Sequence, residues 1–463
     1  MRKSGFSLKA VLVTSVIGLS LAFYVHLPVQ FFDFRAFYCA GQAELSGADP
    51  YREHPLHECE QGLSAPTLAP LRGDVTVPAP FPGFVLAVFA ALATLPFPCA
   101  LAVWLAGSLV ALGCAIVFVA QTTSTSMTAN VIALGFPAAI VALPLGQVTP
   151  FVLLAVAGSA VMLQRGRPRL AALTALGAML DPHVGVAVLL GIFAGVPRAR
   201  VVLIGGTAAL FVLGLCVSGP SREWEYVRSV IPAHALANVT DGTQFSTTNL
   251  VYLAGVSPAA ALRLGSLWYG LATAAGVVVA LRLRKRLGIV AVAYIPLAFA
   301  VFGGPHSHLQ QLAMAIPAFM LLSSAATGGR REFCSVVTFV AAVPWLYITP
   351  FSWLYIAPSA LALVFAAEMK SARQGARLAA ACFVTLTVTK MSMPRSAVPV
   401  QFHAITAGNP LAEVSWQTFM TALNGPMETW YLIARAPTVV AFVILLALLA
   451  NASRPRLTLV REC

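Results

Sequence analysis

Asp33 stands between Phe32 and Phe34 in the run FFDFRAFYCAG (31–41), where aromatic walls would strip water from a carboxylate. Such desolvation raises a carboxyl pKa toward neutrality and makes the carboxylate a better base for a hydroxyl proton. At helical spacing Asp33, Phe37 and Tyr38 can share one face of a short interfacial helix. The same aspartate can instead cap that helix or pair with Arg35 at the surface, and residue type alone leaves these readings open. Asp49 follows in LSGADPY (45–51), where Gly47 reads as a helix stop and Asp-Pro as a turn. A structural role is expected for it, with catalysis as the alternative. His54, His57, Glu58 and Glu60 offer metal-ligand types, but their spacing fits no tight signature, and solvated loop residues are expected.

Further along, GPHSHLQQL (304–312) puts His306 and His308 at the outer end of a helix. Gly303, Gly304 and Pro305 let the backbone approach a ligand closely, and the following helix N-terminus favours an anion such as phosphate. One histidine can bind that phosphate or protonate a leaving oxygen; incidental loop histidines are the alternative. Asp181 in AMLDPHVG is the one acid inside an apolar run. A carboxylate there is costly and is a functional candidate, with His183 as its nearest partner, unless it simply caps a half-helix broken at Pro182. Gln147 in LPLGQVTP, with Thr247, Thr248 and Asn249 in QFSTTNL, supplies uncharged groups suited to sugar hydroxyls, although turns use the same residues.

The elements that must position these residues are membrane helices. The chain of 463 residues is 59% hydrophobic and 10% charged, with a mean hydropathy of +0.84. Its apolar runs are of roughly the 17–25 residues that cross a bilayer and lack the alternation of barrel strands. The net charge of +13 gathers in short clusters between those runs, such as Arg165, Arg167 and Arg169, or Arg282, Arg284, Lys285 and Arg286. That placement reads as the cytoplasmic side facing anionic lipid, and it argues against nucleic acid as a partner. Seven of the sixteen acids fall instead between Pro28 and Pro78.

An all-α polytopic membrane protein of about 11–14 crossings is expected. Helices are predicted near 8–27, 79–95, 98–120, 128–143, 148–163, 170–194, 200–217, 259–283, 287–302, 307–325, 333–348, 352–368, 376–390 and 431–450. The crowding of Pro137, Pro144, Gly146 and Pro150, and the Asp181-Pro182 pair, predicts at least one broken or re-entrant element lining a cavity. Four polar islands, 28–78, 218–258, 303–308 and 391–430, are expected to converge on one outer face of a single membrane domain, 1–463. Within it, 1–27 reads as an uncleaved signal anchor, 28–78 as a catalytic outer loop with short interfacial helices, 79–450 as the helical bundle, and 451–463 as a cytoplasmic tail. Cys39 and Cys59 share the outer loop and either pair in an oxidising compartment or remain free thiols.

The motif DFRAFYCAGQAELSGADPY (33–51) resembles the first outer loop of glycosyltransferase family 87, polyprenyl-phosphate-sugar-dependent transferases with a GT-C membrane fold. FPGFVLAVFAALATLPFPCALAVW, LGQVTPFVLL, RGRPRLAALTALGAMLDPHVGVAVLL and GPHSHLQQLAMAIPAFMLL follow in the family's order, so the likeness covers most of residues 28–325. It implies transfer of a sugar, typically mannose, from a polyprenyl-phosphate donor to an acceptor hydroxyl of a glycolipid or glycan at the outer face of a bacterial cell membrane. It implies an inverting reaction with Asp33 as base, calling for no metal or cofactor, and a donor phosphate near His306 or His308. Tyr38, Gln147 and Asn249 are expected to contact substrate. Where the family commonly has Lys-Pro this chain has Asp181-Pro182, a cation replaced by an anion, so Arg222, Arg395 or a histidine is expected to supply the charge. The alternative function is a transporter or lipid flippase using Asp181 as an intramembrane proton site.

Overall fold

The computed structural model describes residues 8–25, 31–63, 75–370, 372–394, 408–424 and 428–454. Arg395 and most of the expected cytoplasmic tail lie outside the described residues. The described chain is helical, with a lone β-bridge between Arg52 and Leu411.

Helix α1 (Leu8–Val25) is followed by two short helices of the first loop, α2 (Phe32–Ser46) and α3 (Glu53–Leu63). Next come α4 (Gly83–Ala93), α5 (Phe97–Thr123), α6 (Met127–Leu145), α7 (Thr149–Gln164), α8 (Pro168–Leu180), α9 (Pro182–Gly195) and α10 (Pro197–Val217). A second polar stretch holds α11 (residues 219–239) and α12 (Thr247–Leu253). The bundle continues with α13 (Pro258–Leu287), α14 (Ala291–Gly303), α15 (Leu309–Ala325), α16 (Gly328–Ala342), α17 (Ser352–Glu368) and α18 (Ala372–Met391), and closes with α19 (Ala412–Asn424) and α20 (Glu428–Ala452).

Proline starts many of these helices, where its missing N–H costs nothing; Pro98, Pro150, Pro168, Pro182 and Pro258 all lie in first turns. The expected break falls at Asp181, which leaves helical geometry at φ −125° and ψ 89° between the 3₁₀ end of α8 and Pro182. The Pro137 region stays continuous: α6 widens into π turns at Val131–Gly135 and Ala138–Ala142 and ends at Gly146. The predicted 333–348 helix divides, because Pro344 separates α16 from a turn at Trp345–Ile348.

Among the described residues, α5, α6, α10, α13 and α20 are each long and apolar enough to cross a membrane, and eight shorter helices are apolar. The centre of the bundle is α14, where Ala291, Val292, Tyr294, Ile295 and Leu297 have no exposed surface. On the periphery α10 turns Val201, Ile204 and Phe211 outward, an apolar face suited to lipid rather than water. Helix ends carrying basic clusters are tied to one another: Arg284 donates to the Gly195 carbonyl (3.1 Å), Arg286 to that of Ala452 (2.9 Å), and Lys9 pairs with Glu368 (3.4 Å).

The polar islands do meet. The Ala412 amide donates to the Tyr51 carbonyl (2.9 Å), the Phe245 amide to the Ser307 carbonyl (2.7 Å), and Arg52 bonds Glu225. The Cys39–Cys59 disulfide joins α2 to α3. Gly41 lets α2 lie directly on α4, since a Cβ there would stand 2.4 Å from the Phe89 carbonyl carbon.

Candidate active site

Helix α2 is clamped at its first residue. The Phe31 amide donates to the Pro144 carbonyl at the end of α6 (2.7 Å), Phe34 stacks on Trp104, and Phe37 packs on Phe81 and Phe89. This fixes Asp33 in the first turn of α2, where its Oδ2 accepts from the Gln147 amide at 2.5 Å. Burial pushes the Asp33 carboxyl up to about 6 while that hydrogen bond pulls it down. No side chain caps α2, so the capping role weighed for Asp33 is not the one it has. The Arg35 guanidinium is buried over the Phe32 ring.

Asp33 opens on a cavity of about 670 Å³. Gln147, Asp181, His183, His306 and His308 line the same cavity, although they come from three separate stretches of the chain: the loop after α6, the break between α8 and α9, and the loop before α15. Phe32, Trp416 and Phe419 supply an aromatic wall, with Trp416 5.8 Å from Phe32. Burying polar groups in such a place requires partners for them, and most are found within the site.

The break at Asp181 aims its carboxylate at two donors. Oδ1 lies 2.9 Å from His183 Nδ1, and Oδ2 accepts from Gln311 Nε2 at 2.9 Å. Gln311 in turn accepts from the His308 amide through Oε1 (3.0 Å), completing a capping box on α15. The His308 ring lies on Gln244 Nε2 (2.9 Å) and 4.0 Å from Asp241. The His306 ring is sandwiched, 4.6 Å from His183 and 5.1 Å from His234 between centroids. Burial, then the neighbouring imidazoles, push His234 down to about 3 and His306 well below the ordinary histidine range. Burial lowers His308 too, against the pull of Asp241.

Four expected site residues lie elsewhere. Tyr38 points away, its hydroxyl donating to the Leu95 carbonyl (2.9 Å). Asn249 braces the loop after α11, donating to the Val239 and Asp241 carbonyls (2.8 and 3.2 Å) and accepting from Arg435 (2.8 Å). Arg222 bonds Glu44 (3.2 Å) and the Gly47 carbonyl (2.5 Å) and does not line the cavity. Asp49 holds its turn, accepting from the Tyr51 amide (3.0 Å) and Arg52 (3.3 Å).

The expected solvation of the first-loop acids is corrected for Glu60. It is buried because its Oε2 takes the Val77 amide (3.1 Å), and burial pushes its carboxyl up to about 8. His57 lies on Thr76 (3.1 Å), and His54 contacts Glu58.

His234, Asp241 and Gln311 also line the cavity and were not singled out from the sequence. For His234 the signal was its helical spacing to Asn238, whose amide bonds the His234 carbonyl (2.8 Å). For Gln311 it was the three-residue spacing to His308.

A carboxylate poised near neutrality opposite a bank of imidazoles suits transfer to a hydroxyl from an anionic leaving group. Residues 80–303 match the model of glycosyltransferase family 87. Over that stretch the chain is similar to glycosyltransferase family 87. The family indicates a glycosyltransferase, with a sugar donor and an acceptor as its substrates. Gln147, Asp181, His183, His234 and Asp241 fall inside the matched stretch, whereas Asp33, His306 and His308 lie outside its limits. No curated protein and no solved structure matches the chain.

Proposed function

We propose that the protein is an inverting transferase that moves a sugar, mannose by the resemblance of its first loop, from a polyprenyl-phosphate donor to an acceptor hydroxyl at the outer face of a bacterial membrane. The observation that carries this reading is the single cavity shared by Asp33 and the histidines of three separate elements. Asp33 takes the acceptor's hydroxyl proton as its oxygen attacks the anomeric carbon. The bond from that carbon to the phosphate oxygen breaks, and the electron pair leaves with the phosphate. The position of His306 and His308 beside the N-terminus of α15, in the cavity lining, supports them as neighbours of that phosphate.

The Cys39–Cys59 disulfide supports placing this face in an oxidising compartment, opposite the basic clusters. The outward apolar surface of the bundle supports a lipid-borne donor entering from the side.

The test is transfer by purified, detergent-solubilised protein from labelled polyprenyl-phosphate mannose to a membrane lipid extract. Asp33→Asn keeps the shape but cannot take a proton, and a loss of about 10²–10⁴ in rate is expected. A variant with wild-type transfer would remove Asp33 from the chemistry. No labelled product from the wild type across several polyprenyl-phosphate sugars would defeat the donor assignment.

A further inference from the structure

Among the described residues that line the cavity there are three aspartates and four histidines, and neither a lysine nor an arginine. Among the described lining residues there is no fixed cation with which to hold a phosphate. Among these described residues the group that can supply the charge is an imidazole that takes up a proton.

The four imidazoles are not equivalent. His306 and His234 are enclosed by each other and by His183, and burial with that crowding disfavours their charged forms. The ring of His308 is occupied by Gln244. His183 alone has its Nδ1 within hydrogen-bond distance of a carboxylate, that of Asp181 at 2.9 Å. Gln311 holds the other oxygen of Asp181, so the carboxylate cannot turn away. The Tyr269 hydroxyl bonds the main-chain carbonyl of His183 and fixes its backbone. The remaining ring atom, Nε2, is buried without a hydrogen-bond partner. It faces Gly304, where a Cβ would stand 3.3 Å from it, and the His306 ring beyond. The groups around His183 are therefore Asp181 on its own segment, Gln311 of α15 and His308 at its N-cap, His306 of the preceding loop, His234 of α11 and Tyr269 of α13.

We propose that His183, charged as an imidazolium against Asp181, is the cation that takes a phosphate oxygen of the donor through Nε2, so that donor binding draws a proton into the site. This rests on the polyprenyl-phosphate reading above. The donor's phosphodiester carries one negative charge, and breaking its bond to the anomeric carbon leaves a phosphate monoester with a second. A proton on Nε2, hydrogen-bonded to that phosphate, stabilises the growing charge while Asp33 holds the acceptor's proton. The anion at Asp181 thus recruits a cation by way of the neighbouring histidine.

The test is calorimetric titration of the full-length protein in detergent with a polyprenyl methyl phosphate diester, whose own charge does not change between pH 5.5 and 8.5. Polyprenol of the same length is the uncharged control. The wild type should take up close to one proton per diester bound, read from the dependence of the heat on the buffer's ionisation enthalpy. Its affinity should fall as pH rises, approaching about tenfold per pH unit, the linkage limit for one proton. His183→Gln should abolish the proton uptake and bring affinity at pH 6 down to the wild-type value at pH 8. Asp181→Asn should reduce both effects, and His183→Lys should restore tight binding without proton uptake. Polyprenol binding should be unchanged in all three, showing an intact fold. Diester binding that exceeds polyprenol binding but is flat with pH and indifferent to His183→Gln would overturn this assignment and leave the transferase reading standing. Diester binding no tighter than polyprenol in the wild type at any pH would overturn the polyprenyl-phosphate reading itself.

Discussion

Replacing Gln147 by leucine should move the pH dependence of transfer without removing the base. Gln147 donates to Asp33 Oδ2 at 2.5 Å, and this contact opposes the burial that lifts the carboxyl to about 6. A hydrogen bond to a charged group contributes about 1.5–3 kcal/mol, and a pKa unit corresponds to about 1.4 kcal/mol, so losing it should raise Asp33 by roughly one to two units. The base works as the carboxylate, so the acidic limb of the kcat/KM profile should shift to higher pH, from about 6 to roughly 7–8. At pH 7 the ionised fraction would drop from roughly nine-tenths to between one-half and one-tenth, a rate loss of about two- to tenfold that recovers by pH 9. The assay is transfer from labelled donor across pH 5–9, with Asp33→Asn as the variant that should lose the limb altogether. A limb that stays in place, or moves to lower pH, would refute the assignment of that limb to Asp33.

Gly41→Ala would push a methyl into the Phe89 backbone at 2.4 Å, so α2 should lift from α4; a stability loss of about 1–3 kcal/mol or more is expected in thermal unfolding, with transfer lost alongside. Replacing both Cys39 and Cys59 by alanine opens a loop closed over a sequence separation of 20, which should cost about 3 kcal/mol and lower the unfolding temperature. Gly304→Ala would place a Cβ 2.9 Å from the His306 carbonyl oxygen and 3.3 Å from His183 Nε2. The overlap with backbone should lower the unfolding temperature and raise the KM for donor, and an unchanged KM would show that this approach does not shape the donor site.

Much of the helical layout was legible because a helix that crosses lipid must satisfy its backbone internally over a fixed length, which writes a long apolar run into the sequence. The runs predicted at 98–120, 259–283 and 431–450 are α5, α13 and α20, found at 97–123, 258–287 and 428–452. The split at Pro344 was missed because the apolar pattern continues across it. In the site, Asp33, Asp181, His183, His306 and His308 were legible as polar groups in apolar surroundings, a costly placement that marks candidates by residue type. Arg222 and Asn249 offered suitable chemistry as well, yet Glu44 holds one and Arg435 the other. Nothing local distinguishes a side chain engaged by a distant partner from one left facing a cavity.

By itself, then, the sequence determined the helical class, the apolar segments and a short roster of residues able to do chemistry, because hydropathy and residue type are properties of the chain read in order. The tertiary structure decided which of them share a cavity. It turned Asp181 toward His183 and Gln311, placed His234 beside His306, buried Glu60, and set Gln147 on Asp33 across 114 residues of chain. Those pairings depend on how helices far apart in sequence pack, since desolvation and hydrogen bonding act over a few ångströms of space, whatever the distance along the chain.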